Sequence, residues 1–223
     1  MASASGEGTV NEEGRVARRK ARTRAGLLAA ARQLFAARGV DHTTIAEIAE
    51  HADIAIGSFY NYFGTKEELL DALIEEELSQ QLRLLQGRQA KVEDPAEKIS
   101  IAHRHLVRLA RTDADWAWLL VRLEVPYRVA RSVLGRAAAR DLRAGIRAGR
   151  FDVANPTLAL NASGGALFAV VHAQLVGEGS KRADVEHAEG VLRSFGLDRA
   201  QAAEIARRPL PEVLDATGAF DDP

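Results

Sequence analysis

Apolar positions recur at helical spacing along most of the chain. From Thr23 onward, Leu27, Leu28, Ala31, Leu34 and Phe35 share one face, which predicts a helix ended by Gly39. Thr44 followed three residues later by Glu47 reads as a capping box, and Ile45, Ile48, Ala49 and Ala52 then line one side of a helix of about two turns. After a break at 53–55, Ile56, Phe59 and Phe63 recur at i, i+3 and i+7 and predict a third short helix with these three on its buried face. Gly57, Ser58, Tyr60, Asn61 and Tyr62 are left mostly off that face. Gly64 is placed to end the helix in the left-handed conformation, and Thr65 with Glu68 caps a long fourth helix reaching about Gln86.

The remaining pattern is helical too. Asp94-Pro95 and Asn155-Pro156 each supply a capping side chain followed by proline at the first helical position. Further starts fall near Asp113 and Pro126, the second running to Gly149, and a final pair covers 183–195 and 198–207. Ala, Leu, Arg and Glu dominate, while β-branched and aromatic residues are sparse, so the expected fold class is all-α with no sheet. The expected organisation is a disordered segment at 1–14, a head with a basic arm at 15–66, a larger helical domain at 67–208, and an irregular tail at 209–223.

Charge changes this picture. The net charge is −1, yet eight Arg or Lys residues and no acid fall between Arg15 and Val40, which suggests a polyanion contact carried by one part of the molecule. Other chemistry is limited. The chain has no cysteine, so disulfides, thiolate metal sites and cysteine nucleophiles are excluded. The six histidines form neither a Glu-x-x-His pair nor a His-Glu-x-x-His motif, and Gly164-Gly165 lacks the strand that a phosphate loop or nucleophile elbow needs. No metal, cofactor or catalytic activity is expected. The N-terminus shows no apolar run behind a basic segment, and the longest apolar stretch, around 166–173, is broken by His172. A soluble, cytoplasmic protein is the expectation.

The segment TTIAEIAEHADIAIGSFYNYFGTKEELLDAL at 43–73 resembles the N-terminal DNA-binding module of the tetracycline-repressor (TetR) family of bacterial regulators. The resemblance is carried by Ile45, Ile48 and Ala49, by the run Gly57-Ser58-Phe59-Tyr60, by Phe63, and by Lys66-Glu67-Glu68-Leu69. The preceding AARQLFAARGVDHTT at 30–44 is also similar to the family's first helix and loop. It implies a helix-turn-helix head at 44–63 whose third helix enters the major groove. A long helix would join that head to a larger ligand-binding and dimerisation domain.

Each candidate contact has a structural alternative. Thr44 offers a hydroxyl and free backbone N–H groups to a phosphate, or serves only as a cap. Tyr60 resembles the family's phosphate-contacting tyrosine, with a core tyrosine as the other reading. Lys66 sits in the first turn of helix four, where the helix dipole is positive, so a compensating partner is expected. The resemblance makes that partner a DNA phosphate, and a solvated lysine is the alternative. Gly57 permits close backbone approach, while Ser58, Asn61 and Tyr62 are candidates for base edges. Arg18, Arg19 and Arg22, with Arg15, Lys20 and Arg24, could reach the adjacent minor groove or phosphates as a flexible arm.

The larger domain is less legible. The resemblance implies dimerisation through 157–177 and 183–196, with Gly164 inside a small-residue run and Leu167, Val171 and Leu175 supplying apolar area. Packing within the chain is the alternative. His103, Trp116, Trp118, Leu119, Tyr127, Phe168 and His172 are candidates for a pocket, or for ordinary core. The expected partners are a double-stranded DNA operator, a second copy of the chain, and an unidentified, apolar small-molecule effector. The expected function is a sequence-specific regulator, a repressor released by its ligand. The alternatives are a helical dimeric interaction protein that ignores duplex DNA, and an activator on the same scaffold.

Overall fold

A computed structural model describes residues 7–122 and 132–212, with backbone alone at 7–13 and 122. Among the described residues there are ten helices and no strand. The chain divides into two compact units, Met1–Ile74 and Glu75–Pro223. The boundary falls inside the fourth helix, eight residues beyond the expected limit at 66. The first turns of that helix carry Leu69, Leu70, Leu73 and Ile74, all buried, and they belong to the N-terminal unit.

The N-terminal unit holds α1 (Glu7–Arg38), α2 (Ile45–His51), α3 (Ile56–Phe59) and the start of α4 (Lys66–Gln89). Its core is built from Leu27, Phe35, Ile48 and Phe59, where the spacing predicts, and from Leu69 and Leu73 of α4, each nearly or wholly out of solvent. Full burial of side chains of this size stabilises by about 1.5–3 kcal/mol each. His51 Nε2 donates to Gln33 Oε1 at 2.7 Å, and Arg38 pairs with Glu47 at 2.9 Å, fastening α2 along α1. One expectation fails here. Helix α1 starts at Glu7, inside the stretch expected to be disordered, and runs unbroken through the basic block. Residues 15–22 are all exposed, so this part of the helix has no buried face and leaves no apolar period to read.

The second unit contains the rest of α4, then α5 (Pro95–Thr112), α6 (Ala114–Arg122), α7 (Val133–Arg147), α8 (Pro156–Leu175), α9 (Ala183–Ser194) and α10 (Arg199–Arg207). The predicted caps are in place: Asp94 accepts from the Ala96 N–H and Asn155 from Leu158. At the start expected near Asp113, the Asp113 carboxylate accepts from the Trp116 N–H. The start expected at Pro126 lies outside the described residues; the described helix is capped by Ser132. Helix α5 is the hub, packing against α6 to α10 in turn. Ile99, Leu142, Val191, Leu192, Phe195 and Ile205 make the centre of the core around it. Phe151 meets Phe195 edge-on at 5.6 Å, a fit that requires glycine at 145, because a Cβ there would lie 2.2 Å from the Phe151 ring. Arg150 closes this end by a two-pronged bond to Asp94, both contacts 3.0 Å.

Helix α8 is unusual in its exposure. Ser163, Leu167 and Val171 point into the core at i, i+4 and i+8, whereas Leu158, Ala162, Gly165, Ala166 and Ala169 lie exposed on another face. Contrary to the expectation from its interrupting histidine, α8 is long and apolar enough, by length and composition alone, to cross a membrane.

Candidate nucleic-acid interface

The head is set by the loop between α1 and α2. Gly39 takes φ +85°, a conformation that side chains disfavour, and ends α1. The buried Thr43 donates its hydroxyl back to the Gly39 carbonyl at 2.8 Å. Thr44 then caps α2. Its hydroxyl accepts from the Glu47 N–H, and the Glu47 carboxylate accepts from both the Thr44 N–H and its hydroxyl at 2.8 Å. These bonds, with Arg38 alongside, hold the Glu47 carboxyl below its ordinary pKa. Thr44 remains exposed at the helix start, as a phosphate contact requires, although its hydroxyl proton is engaged by Glu47.

Lys66 answers the question raised by its position. Its ammonium donates to the Val40 carbonyl at 2.8 Å and to the Thr43 carbonyl at 3.0 Å, so backbone oxygens provide the compensation that the resemblance implied from a phosphate. The signal was local in sequence and the answer came from 23 and 26 residues away. Arg24 also departs from the expected arm, for its guanidinium lies over the Phe63 ring, 5.3 Å from the centroid.

Between α2 and α3 the chain turns at Asp53, which adopts φ +55°, a left-handed conformation that short polar side chains tolerate. Helix α3 is a single turn at 56–59, shorter than the spacing suggests. It continues as tighter turns, with Asn61 N–H donating to Ser58 O, and Tyr62 and Phe63 N–H to Phe59 O. Phe59 and Phe63 are buried and in ring contact at 5.9 Å. Ile56 is not buried with them: it is 51% exposed, a correction to its predicted inward face. Gly64 is not left-handed either. Its N–H donates to Glu68 Oε2 at 2.7 Å, which ends the turn without a positive φ.

What remains outward is a continuous polar and apolar surface. Gly57, Tyr60 and Asn61 are exposed, and Ser58 and Tyr62 are half-buried. The Tyr60 ring is braced edge-on by Phe59 at 5.5 Å while 57% of the residue remains accessible. Arg18, Arg19 and Arg22 are exposed along α1, carried on a helix and not on a flexible arm.

The candidates in the second unit do not form a single group. Trp116 and Leu119 are buried core residues, Phe168 is half-buried, and Tyr127 lies outside the described residues. Trp118 meets His172 edge-on at 6.1 Å. His103 pairs instead with His187, which the spacing gave no reason to select, Nδ1 to Nε2 at 2.9 Å. One ring N–H donates to the other's lone pair, so the two rings cannot both be protonated in this contact. Burial, and for His103 also the charge of its neighbour, pushes His103 down to about 3 and His187 to about 4. Of the dimer candidates, Leu167 and Val171 are turned into the chain's own core, while Gly164 and Leu175 are half-buried. The small-residue run lies on α8, whose exposed face holds Gly165, Ala166 and Ala169.

A tight two-helix turn presenting exposed polar side chains, joined to a larger helical unit, defines a helix-turn-helix DNA-binding transcriptional regulator. The chain belongs to the TetR family: the model for bacterial regulatory proteins of the tetR family matches 27–73, and that for the tetracyclin repressor-like C-terminal domain matches 94–208. The crystal structure of RolR in complex with resorcinol is 38% identical, with a TM-score of 0.71 over 88% of this chain and 98% of RolR. The regulator TtgR of Pseudomonas putida is 45% identical over 53 residues, 24% of this chain. The repressor KstR2 of Mycolicibacterium smegmatis is 37% identical over 92 residues, 35% of this chain. These matches span a quarter of TtgR and 43% of KstR2.

Proposed function

We propose that this regulator acts as a homodimeric, cytoplasmic repressor that occupies a two-part DNA operator and leaves it when a small aromatic molecule binds the second unit. The observation that carries this reading is the exposed surface of Gly57, Tyr60 and Asn61 on a head whose core residues all point the other way. Ser58, Asn61 and Tyr62 are assigned to base edges, and Thr44 and Tyr60 to phosphates, with Arg18, Arg19 and Arg22 adding charge contacts from α1. Lys66 is assigned to hold the head's shape.

A single reading turn offers too little contact for useful specificity, so two heads on half-sites about 34–36 Å apart are needed. The exposed apolar face of α8 supports a second copy as its cover, because Leu158 (63% exposed) and its small neighbours would bury against an identical helix. A compact aromatic effector is supported by the likeness to RolR, crystallised with resorcinol, and by the ring and imidazole pairs Trp118–His172 and His103–His187. Titrating resorcinol into the operator complex tests the release: loss of DNA with ligand supports it, whereas a ligand that stabilises the protein and spares the complex contradicts it.

A further inference from the structure

The outward position of Ile56 has a consequence for sequence recognition. Its neighbours at plus three and plus seven, Phe59 and Phe63, are 0% and 3% exposed, so the core is complete without it. Ile56 instead shares the outer side of the reading turn with Tyr60 one turn on. A Cβ built on the intervening Gly57 meets nothing within 4 Å, so the surface beside Ile56 is open to a close partner. On its other side Ile56 borders an open groove into which Glu50 and Asp53 also face. Those carboxylates disfavour a phosphate beside Ile56, whose own side chain is apolar. Among the groups on major-groove base edges, the thymine 5-methyl is the apolar one.

We infer that Ile56 is a specificity-determining residue that packs against the 5-methyl group of a thymine in each half-site. This rests on the reading of α2 and α3 as the DNA-binding head. Ile56 supplies apolar contact, while Ser58 and Asn61 supply hydrogen bonds, so the preferred sequence has a thymine whose methyl is read without any polar group.

The test starts from duplexes selected out of a random library by the full-length protein, followed by replacement of each thymine in turn with deoxyuridine. At one thymine per half-site, removal of the methyl is expected to weaken binding about fourfold, the worth of one buried methyl-sized group. In Ile56→Ala the same replacement is expected to have no effect, and in Ile56→Val a reduced one. Because Ile56 is exposed, both variants are expected to keep the parent's thermal midpoint. A selected site with no required thymine, or a methyl effect that survives in Ile56→Ala, overturns the inference while leaving the DNA-binding head intact. Failure to enrich any duplex overturns the head and the inference together.

Discussion

Lys66 Nζ lies 2.8 Å from the Val40 carbonyl oxygen, which brings a cation at the positive end of α4 to the negative end of α1. The second bond, to the Thr43 carbonyl, places the ammonium directly before the Thr44 cap. The loop carbonyls after α1 thereby offset a cation placed where the α4 dipole alone would disfavour it.

Lys66→Met is therefore expected to lower the stability of the head by about 1–3 kcal/mol, because two carbonyls lose a charged donor. It should weaken DNA binding on all sequences while leaving the slope of log affinity against log salt unchanged. A lysine that neutralised a phosphate in each of two heads would instead reduce that slope by about 2. Thermal unfolding together with salt-titrated binding separates the two.

For Arg18, Arg19 and Arg22 the expectation is the opposite. Each Arg→Gln change should leave stability within about 0.5 kcal/mol, since the residues are exposed. Each removes one contact per head, so it should flatten the salt slope of the dimer by about 2 and weaken operator and random DNA alike. Tyr60→Phe belongs with this group in its uniform effect across sequences. Asn61→Ala, by contrast, should change preference among operator variants by about 1–3 kcal/mol per affected base pair. Titrations on matched and altered duplexes measure the difference.

On α8 the two faces should respond differently. Ala166→Glu or Ala169→Glu, on the exposed face, is expected to convert a dimer to monomers in sedimentation with little change in helix content. Leu167→Ala, on the inner face, is expected to cost about 2–5 kcal/mol of stability at any protein concentration. If the charged variants remain dimeric, the partner-covered face lies elsewhere.

Three histidines give the second unit an acid sensitivity. His105, which donates to Gln81 Oε1 at 2.9 Å, is pushed down to about 4 by burial and by the nearby Arg88 charge, and His187 and His103 are lowered as well. Their folded pKa values lie below the ordinary value near 6.5, so the unfolded chain binds more protons between about pH 6.5 and 4. The neutral rings favour folding fully above that window, and the advantage declines as pH falls through it. A loss of about 1–2 kcal/mol per histidine is expected on going from pH 7 to pH 5. Chemical denaturation across that range checks it, with His105→Gln expected to remove one share of the slope.

Much of the head could be read from the chain because its signals are local. The Thr44–Glu47 box, the inward Ile48, Phe59 and Phe63, and the exposed Tyr60 and Asn61 all follow from spacing within one or two turns. Contacts over long separations were not legible. Nothing near Lys66 indicates Val40, and nothing near His103 indicates His187, 84 residues on. Ile56 misled because the i, i+3, i+7 pattern assumes an unbroken helix with a core at both ends, whereas α3 is one turn and its first residue stands beyond the packed rings. In α8 the apolar residues surround the helix, so periodicity could not tell Leu167, turned inward, from Leu158, turned outward.

The central claim is that two copies of this head read one operator. Footprinting of the full-length protein on the DNA upstream of its own gene tests it most directly. Two protected half-sites related by approximate two-fold symmetry, centred about 34–36 Å apart or a multiple of that, are the expected result. Tyr60→Phe should weaken both together. Absence of protection at low salt, or a protected site that Tyr60→Phe and Asn61→Ala both leave unchanged, would contradict the account.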